Sequence, residues 1–312
     1  MQTEHTGSAA PRRPRLGVAI VTMGTRPAEV DALLESVAVQ TEAADHVVIV
    51  GNGTKGRGVL PDYARRGLPG RVTVLETPEN LGCPGGRNAA IAALRACGNV
   101  DVVVELDDDG CLPDRQAFAR VREHFAAKAD LGILAFRIAD ETGHTQRRHI
   151  PRLRASGRDA LRAGDVTAFL GGAHAFSMPM LDAVGDWPAH FFFTHEETDL
   201  AWRALDGGWR IHYDPRLVLR HPRTSPARHA VYYRMTARNR VWLARRNLPA
   251  VLVPVYLAVW TLLTVARTRS GRGLRAWASG FAEGVRTPAG SRRPMRWYTV
   301  WRMTRLGRPP VI

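Results

Sequence analysis

The 312-residue sequence has few cysteines, and none of them is suited to a disulfide framework or a metal site. Cys83, Cys97 and Cys111 are odd in number and show neither paired spacing nor the spacing of metal ligands. Small secreted domains that depend on disulfides use many regularly spaced cysteines, so the sequence does not belong to that class. The cysteine content is typical of a protein in a reducing compartment.

A secretory signal is also missing from the start of the sequence. Residues 1–15 are polar and end in a stretch of prolines and arginines, which predicts a disordered arm. The apolar run at residues 16–21 is too short for the core of a signal peptide and predicts a first strand instead.

Acidic residues are almost absent from the last quarter of the sequence. From Arg234 to the end there are sixteen arginines, no lysine and a single acid, Glu283. This segment therefore carries all of the chain's net charge of +15, and residues 1–233 are neutral. Such asymmetry predicts a neutral catalytic body with a basic anchor.

The first half of the sequence alternates apolar strands with helical periodicity. The predicted strands cover 17–22, 46–50, 72–75, 100–106 and 131–138, and the helices between them begin near residues 27, 84 and 114. This alternation predicts an α/β fold with a mainly parallel sheet flanked by helices. Further on, the sequence predicts a hairpin tip at 142–143, a helix over 195–206, and two strands near 209–213 and 216–220.

The most informative motif is three consecutive aspartates, Asp107, Asp108 and Asp109, directly after an apolar strand. Strands this apolar lie inside parallel sheets, and ligands of open α/β sheets bind at the carboxyl ends of strands. Adjacent carboxylates repel one another, so burying them requires a counter-charge. A divalent cation would supply that charge and bridge to phosphate oxygens. The alternative is a solvated acidic turn.

Three further clusters have chemistry-bearing residues. The segment 80–88 is a glycine-rich connection from a strand into a helix, where the backbone can approach a ligand and the helix N-terminus favours an anion. The first turn of a predicted helix contains three acids, Glu196, Glu197 and Asp199. Acidic side chains are favourable at the N-terminal end of the helix dipole, which explains at least two of them. One of the three can serve as a general base. His221, at a strand end, is either structural or a nitrogen ligand of a metal.

Taken in order, these motifs resemble family 2 glycosyltransferases of the GT-A fold, a group that includes bacterial rhamnosyl- and galactosyltransferases. The resemblance covers residues 16–246. It rests on Thr25-Arg26-Pro27, the segment Asn80 to Asn88, the aspartate triplet, Gly171-Gly172, the segment Glu196 to Arg203, and His221. The implied organisation is a disordered arm over 1–15, a GT-A domain over 16–233 and a basic helical membrane-association region over 234–312.

The resemblance implies an inverting transfer of a sugar from a nucleotide-diphosphate donor to a hydroxyl acceptor. A divalent cation, Mg²⁺ or Mn²⁺, would be held by Asp109 and His221 and would neutralise the diphosphate leaving group. Glu197 stands where the catalytic base stands, and Glu196 matches the acid before it. The residues that the resemblance places at the donor are Thr22, Arg26, Asn52, Asn80, Gly82, Arg87, Asn88, Asp107, Asp108, Gly171 and Gly172.

Two positions depart from the family pattern. The family commonly has Asp-Asn-Gly-Ser after the second strand, with the aspartate facing the base, and this sequence has Gly51-Asn52-Gly53-Thr54. We therefore expect backbone groups or Asn52 to contact the base, with loose discrimination between uridine and thymidine diphosphates, and an aspartate at Gly51 to sharpen it. His174, just after the glycine pair, is also unexpected.

The basic tail predicts membrane attachment. Residues 232–246 predict a basic amphipathic helix, and residues 248–266 are uncharged and close to the roughly 20 residues that span a bilayer. This segment can span, lie in the interface or dock on the main domain. A second amphipathic helix over 274–285 and the aromatic residues among arginines at 297–301 suit a membrane interface.

These features predict a protein at the cytoplasmic face of a bacterial membrane. The expected partners are anionic lipid and a hydroxyl acceptor such as a polyprenyl-linked glycan, while nucleic acid is not expected because no nucleic-acid motif accompanies the charge. The sequence does not indicate an oligomeric state.

Two other functions share some of these features. A sugar-phosphate nucleotidyltransferase would also use acids at strand ends, but it requires a basic glycine-rich signature near the N-terminus, which residues 22–27 lack. A non-catalytic, membrane-anchored sugar-binding module would not need a complete set of acid, base and metal positions.

Overall fold

The computed structural model describes residues 12–60, 62–63, 67–153, 157–223 and 230–312. Most of the predicted N-terminal arm lies outside this part of the chain. The strands are β1 Leu16–Thr22, β2 His46–Gly51, β3 Arg71–Glu76, β4 Val102–Asp107, β5 Leu131–Ala139, β6 Gly164–Asp165, β7 Ala173–Ser177 and β8 Arg210–Arg220. The helices are α1 Pro27–Ala38, α2 Gly82–Ala96, α3 Ala117–Ala127, α4 Met178–Val184, α5 Glu196–Asp206, α6 Ala230–Asn247, α7 Leu252–Arg267, α8 Gly271–Arg286 and α9 Trp297–Arg305.

All eight strands belong to one mixed sheet, in the order β3-β2-β1-β4-β7-β5-β8-β6. Strands β3, β2, β1 and β4 are parallel, as the alternation of strands and helices predicts. Strand β7 runs antiparallel between β4 and β5, and β6 runs antiparallel to β8. Because β7 is antiparallel, the residues that precede it lie at the carboxyl end of β4, where the aspartates begin.

Helices cover both faces of the sheet, and the side chains of β1 alternate between them. Val18 and Ile20 pack toward α1 and α3, whose apolar residues recur at helical spacing. Ala19 faces the opposite layer, which contains α2, α4, α5 and α6. The predicted α/β architecture with helices on both faces is confirmed.

Three local predictions are wrong. Helix α2 begins at Gly82 rather than after Pro84, and the Asn80 side chain before it accepts a hydrogen bond from the Gly82 amide at 2.8 Å. The two strands predicted near 209–220 are one strand, β8, whose register against β5 shifts in the middle. The turn at 142–143 leads into no hairpin, because residues 144–149 after it form no strand that pairs with β5.

The C-terminal helices are built into the hydrophobic core of the sheet domain. One hydrophobic cluster contains strand residues together with buried side chains of three C-terminal helices: Trp242 and Leu243 of α6, Tyr256 of α7 and Met303 of α9. Burial of these side chains against the sheet domain stabilises both parts of the chain together. The predicted membrane-association region, residues 234–312, therefore packs directly on the rest of the protein.

The apolar segment 248–266 forms the shorter helix α7. Its 16 residues extend over about 24 Å, less than the roughly 30 Å of a bilayer's hydrocarbon core. Within the described part of the chain, no helix has both the length and the apolar character needed to cross a membrane. The buried side chain of Tyr256 ties α7 to Trp202 of α5, with ring centroids 6.0 Å apart.

Close packing of α8 on α6 generates a stability prediction. A Cβ atom at Gly280 would collide with the backbone of Arg234 and lie 2.8 Å from its Cα. Gly280→Ala should therefore destabilise the protein, by about 1–3 kcal/mol, because the helices must move apart. Gly271→Ala on the same helix is the matched control, since nothing lies within 4 Å of its Cβ position.

Urea unfolding of the two variants measures this difference. We expect Gly271→Ala to match the parent protein or exceed it slightly, because alanine is a better helix former than glycine. Equal stability of the two variants would show that α6 and α8 are not in close contact in solution.

Candidate active site

The carboxyl ends of β1, β2 and β4 open into a cleft with a volume of about 350 Å³. Register explains why polar residues collect there, because Thr22 pairs with Gly51 and Val21 with Asp107 at the same edge of the sheet. The structure brings eight predicted donor-site residues to this cleft: Thr22, Arg26, Asn52, Asn80, Gly82, Arg87, Asp107 and Asp108. Met23, Cys83, Phe192 and Phe193 also line it and were not predicted.

A candidate metal centre lies at one side of the cleft. Asp107, Asp109 and His221 present ligand atoms that all lie within 4.8 Å of one another. The His221 Nδ1 atom lies 2.8 Å from the Pro222 carbonyl oxygen, so it is the donor there, and Nε2 faces Asp109 Oδ1 at 3.0 Å. Two carboxylates and an imidazole suit Mn²⁺ or Mg²⁺. The structure thus adds Asp107 to the predicted pair of Asp109 and His221.

The aspartate triplet has counter-charges within the protein itself. Arg26 forms an ion pair with Asp109 and lies 3.8 Å from Asp108. Burial by itself would raise the pKa of Asp109, but the hydrogen bond from His221 and the charges of His221 and Arg26 lower it. Burial raises the pKa of Asp108 despite a hydrogen bond from the Thr22 hydroxyl. A bound cation would therefore share these carboxylates with Arg26.

Arg87 joins the aspartates to the loop before β7. Its guanidinium donates to Asp107 Oδ1 at 3.0 Å and to the Gly171 carbonyl at 2.5 Å, and it stacks over Trp187. Glu105 lies 3.5 Å from Arg87 Nε. The sequence places Arg87 against the nucleotide or diphosphate, and in the structure most of its donors are engaged by the protein. Only Nη1 is buried without a partner in the described residues.

Glu105 is a buried carboxylate that sequence reasoning missed. His174 Nε2 lies 2.8 Å from Glu105 Oε2, and the Trp187 indole donates to Oε1 at 3.1 Å. The side chains of Glu105 and His174 are almost fully buried. His174, unexpected by comparison with the family pattern, is therefore the partner of Glu105. The available signal was a single acid within the apolar strand before the aspartates.

The glycine pair before β7 lets the two acidic groups approach the backbone. A Cβ atom at Gly171 would lie 2.7 Å from Glu197 Oε1, and one at Gly172 would lie 3.1 Å from Asp107 Oδ2. The Gly172 carbonyl also accepts a hydrogen bond from the Asp107 amide at 3.0 Å. A side chain at either position would therefore move a carboxylate of the candidate site from its place.

The three acids at the start of α5 have different environments. Asp199 is fully buried and accepts hydrogen bonds from Arg203, Arg246 and Asn247, so it is structural. Glu196 is also buried, and burial together with the charge of Glu197 raises its pKa to about 8. Glu197 is only partly buried and lies beside Gly171 and Arg87. Glu197 is therefore the accessible carboxylate of the three.

A strained loop positions these acids. Phe192, Thr194 and His195 have positive φ angles of 65°, 71° and 68°, which costs free energy for residues other than glycine. The buried Asn239 of α6 stabilises the loop, since its amide nitrogen lies 2.9, 2.7 and 2.9 Å from the carbonyl oxygens of residues 191, 193 and 194. The basic tail thus contributes directly to the geometry of α5.

Comparison with protein families decides which group of proteins has this arrangement. Residues 18–185, more than half of the chain, match the model of glycosyl transferase family 2. The chain belongs to this family. It is a glycosyltransferase with the GT-A fold, as the sequence motifs indicate. Among curated proteins, none matches the chain in sequence.

Solved structures of glycosyltransferases share the fold. Staphylococcus aureus TarS 1–349 is 14% identical, with a TM-score of 0.58, and the match covers 87% of this chain and 81% of TarS. GalNAc-T7 with UDP, GalNAc and Mn²⁺ is 12% identical, with a TM-score of 0.65, over 97% of this chain and 59% of that one. The Pyrobaculum calidifontis mannosyltransferase PcManGT with GDP-Man and Mn²⁺ is 18% identical, with a TM-score of 0.54, over 95% and 86%.

Two expectations for this family 2 glycosyltransferase need correction. Asn88 is not brought to the cleft, because its side-chain amide bonds to both the backbone nitrogen and the carbonyl of Trp187. Asn52 lines the cleft, but its amide is already hydrogen-bonded to Asn80, Leu81 and Gly82. Asn52 therefore shapes the glycine-rich connection and is not free to read a base.

The space beside Gly51 is also filled. A Cβ atom there would collide with the Thr54 hydroxyl and lie 2.5 Å from Leu60 Cδ1. The Thr54 hydroxyl in turn donates to Glu76 at 2.6 Å. An aspartate at this position would have to displace both neighbouring side chains, so a sharper base preference in Gly51→Asp stays a prediction that requires this rearrangement.

The role of Asn239 leads to a prediction for this glycosyltransferase. Asn239→Leu keeps the approximate size but leaves the carbonyls of the loop without a donor, so Glu197 should shift. We expect turnover to fall about 10–100-fold, because small misplacements of a catalytic group are costly, with a smaller change in donor affinity. Steady-state release of the nucleoside diphosphate measures both quantities.

Thr236→Val is the matched control on the same helix. The Thr236 hydroxyl is buried without a hydrogen-bond partner among the described residues, so its removal should leave turnover unchanged. Normal turnover of a folded Asn239→Leu variant would show that the loop before α5 keeps its conformation without the hydrogen bonds from Asn239.

Proposed function

We propose that this glycosyltransferase transfers a sugar from a nucleotide-diphosphate donor to a hydroxyl acceptor with inversion, and that it requires a divalent cation. The observation that carries the proposal is the convergence of the Asp107, Asp109 and His221 ligand atoms with Glu197 around the Gly171-Gly172 loop. Carboxylates with a histidine suit a cation that binds diphosphate, and a separate accessible carboxylate suits a base.

The structural neighbours support this assignment of donor and cation. Structures of the same fold contain UDP-GlcNAc in TarS, UDP with Mn²⁺ in GalNAc-T7, and GDP-Man with Mn²⁺ in the mannosyltransferase. Family membership favours sugar transfer over nucleotidyl transfer. The accessible carboxylate of Glu197 beside the candidate metal centre favours an enzyme over a sugar-binding module.

The residues of the chain divide the chemistry between two sides of the donor. A bound cation would neutralise the charge that develops on the diphosphate leaving group. Glu197 accepts the proton of the acceptor hydroxyl as its oxygen attacks the anomeric carbon from the face opposite the leaving group. Arg87 donates to both Asp107 and the Gly171 carbonyl, and it thereby fixes the candidate metal centre relative to the loop beside Glu197. A single displacement inverts the anomeric centre.

Metal-dependent donor binding should require Asp109. In Asp109→Asn, the site loses one of its charged ligands, so metal-dependent binding of a nucleoside diphosphate should fall at least tenfold. Titration calorimetry with Mn²⁺, and with a chelator in its place, measures this dependence. Asp130→Asn, an exposed aspartate outside the cleft, is the control. Unchanged metal dependence in Asp109→Asn would refute the assignment of the site.

Asp109→Asn should also be less stable than the parent protein in the absence of metal. The charges of His221 and Arg26, together with a hydrogen bond from His221, lower the pKa of Asp109 in the folded protein even without a cation. A lowered pKa means that the ionised carboxylate stabilises the fold above its unfolded pKa of about 3.9, and that this contribution is lost as the pH falls.

Glu197 should act in chemistry rather than in binding. Glu197→Gln keeps the shape of the side chain and removes the base, so turnover should fall about 10²–10⁴-fold at similar donor affinity. Glu196→Gln is the matched comparison and should have a smaller effect, because Glu196 is buried and its raised pKa keeps it largely protonated near neutral pH. The reverse order of effects would assign the base to Glu196.

We also propose that the enzyme binds an anionic membrane surface at the cytoplasmic face of a bacterial membrane, with a polyprenyl-linked glycan as acceptor. Apolar side chains are exposed on the C-terminal helices, with Leu262 70% and Trp301 64% accessible. Arg267 ends α7, and Arg302 and Arg305 follow Trp301 in α9. Apolar side chains next to arginines suit the interface between lipid and water. The short α7 supports attachment at the interface rather than a span.

Membrane binding should depend on these exposed side chains. Truncation of residues 234–312 is not a suitable test, because buried residues of this segment belong to the core. The double substitution Leu262→Ser and Trp301→Ser should instead weaken binding to anionic vesicles, and salt should weaken it further. Leu161→Ser, equally exposed but on the sheet domain, is the control. Equal vesicle binding of the parent protein, the double variant and Leu161→Ser would show that this surface does not bind the membrane.

A further inference from the structure

A second cavity of about 150 Å³ lies between the first turn of α5, helices α6 and α7, and the residues after α9. Its polar wall includes His195, Arg240, Tyr256, Trp260 and Arg308, and we call it the basic cavity. The volume is several times the roughly 30 Å³ that one water molecule occupies in the liquid. None of the residues that form the proposed donor and metal site lines it.

The two arginines of the basic cavity have no acidic partner in the described part of the chain. Neither Arg240 nor Arg308 makes an ion pair there, although Arg246, on the same helix as Arg240, pairs with Asp199. The Arg240 guanidinium stacks on the Trp260 ring at 3.8 Å, and its Nε atom is buried without a hydrogen-bond partner. Both arginines are partly buried. Burial lowers the pKa of both, although the hydrogen bond with the Tyr256 hydroxyl acts in the opposite direction on Arg240.

Further unpartnered nitrogen atoms lie in the same wall. The Trp260 indole nitrogen, which can only donate, is buried without an acceptor, and His195 Nε2 is buried without a partner as well. A buried donor without an acceptor is unfavourable, and an unpaired buried charge more so. A ligand that brings negative charge and several acceptor oxygens would satisfy all of these groups together.

We propose that the basic cavity binds a phosphate group. Phosphate presents several acceptor oxygens, and the planar guanidinium of arginine donates to two of them at once. The cavity lies at the N-terminal end of α5, whose helix dipole also favours an anion.

The position of the basic cavity indicates what carries the phosphate, and this step rests on the proposed function. Thr198 lines the cavity and directly follows Glu197 in α5, so the phosphate would lie within about one helical turn of the proposed base. Helix α7 contributes Tyr256 and Trp260 to the cavity and exposes Val255 and Leu262 to solvent. An acceptor with a phosphate attached to an apolar chain matches both surfaces.

Thermal unfolding with inorganic phosphate tests the basic cavity without any donor or metal. The proteins are compared in a chelator, at constant ionic strength maintained with chloride. Phosphate should raise the melting temperature of the parent protein, and the double variant Arg240→Gln with Arg308→Gln should bind phosphate at least tenfold more weakly. Arg305→Gln, an exposed arginine near Arg308, is the matched control and should respond like the parent.

The variants also separate this proposal from the proposed function. Asp109→Asn should keep its response to phosphate, since Asp109 belongs to the metal site and not to the basic cavity. Without phosphate, the double variant should be at least as stable as the parent, because it no longer buries unpaired charges. No response of the parent, or an equal response of the double variant, would overturn the proposal even if the glycosyltransferase activity is confirmed.

A vesicle experiment distinguishes a lipid phosphate from a soluble one. The probes are phosphatidylcholine vesicles with and without a polyprenyl monophosphate. If the acceptor is a lipid phosphate, the parent and Arg305→Gln should bind the polyprenyl phosphate vesicles at least tenfold more tightly than the double variant. Equal binding of all three proteins, together with loss of the response to inorganic phosphate in the double variant, would assign the basic cavity to a soluble phosphate instead.

Discussion

The active site depends on a buried ion-pair network at the end of the central strand. Arg87 reaches Asp107, the Gly171 carbonyl and the vicinity of Glu105, while His174 and Trp187 hold Glu105 from the other side. A buried charge is costly unless it is paired and hydrogen-bonded, so each member of this network fixes the position of the next. The network joins α2 and β4, which both line the cleft, to the loop before β7.

A second constraint comes from the C-terminal helices. Asn239 of α6 donates hydrogen bonds to carbonyls of the loop before α5, which contains residues with positive φ angles. Arg246 and Asn247, also of α6, hydrogen-bond to Asp199 of α5. Because the loop leads directly into α5, these contacts determine where Glu196 and Glu197 lie. The strain of the loop is compensated by hydrogen bonds from outside it, which is how unfavourable backbone angles persist at functional sites.

The distribution of charge in the tail follows from the same packing. Arg234 and Arg238 approach Glu283, Arg245 donates to backbone carbonyls of α8, and Arg246 pairs with Asp199. These arginines join helices to each other and to the sheet domain. Arg240 and Arg308 differ because no acid approaches them in the described residues, and they face a cavity. The total charge of a segment therefore says less about its partners than the pairing of each arginine does.

The sequence by itself determined the α/β class, the family and the strand-end aspartates, because apolar periodicity and short motifs are local properties. It also indicated Asp109, His221 and Glu197. Only the tertiary structure decided which of these side chains meet and which already bond within the protein. Asp107 joins Asp109 and His221 in the candidate metal centre, Asp199 is structural, and Asn52 and Asn88 are hydrogen-bonded to other residues. The contribution of Glu105, His174 and Asn239 could not be predicted, because hydrogen bonds between residues far apart in sequence depend on how the helices pack against the sheet.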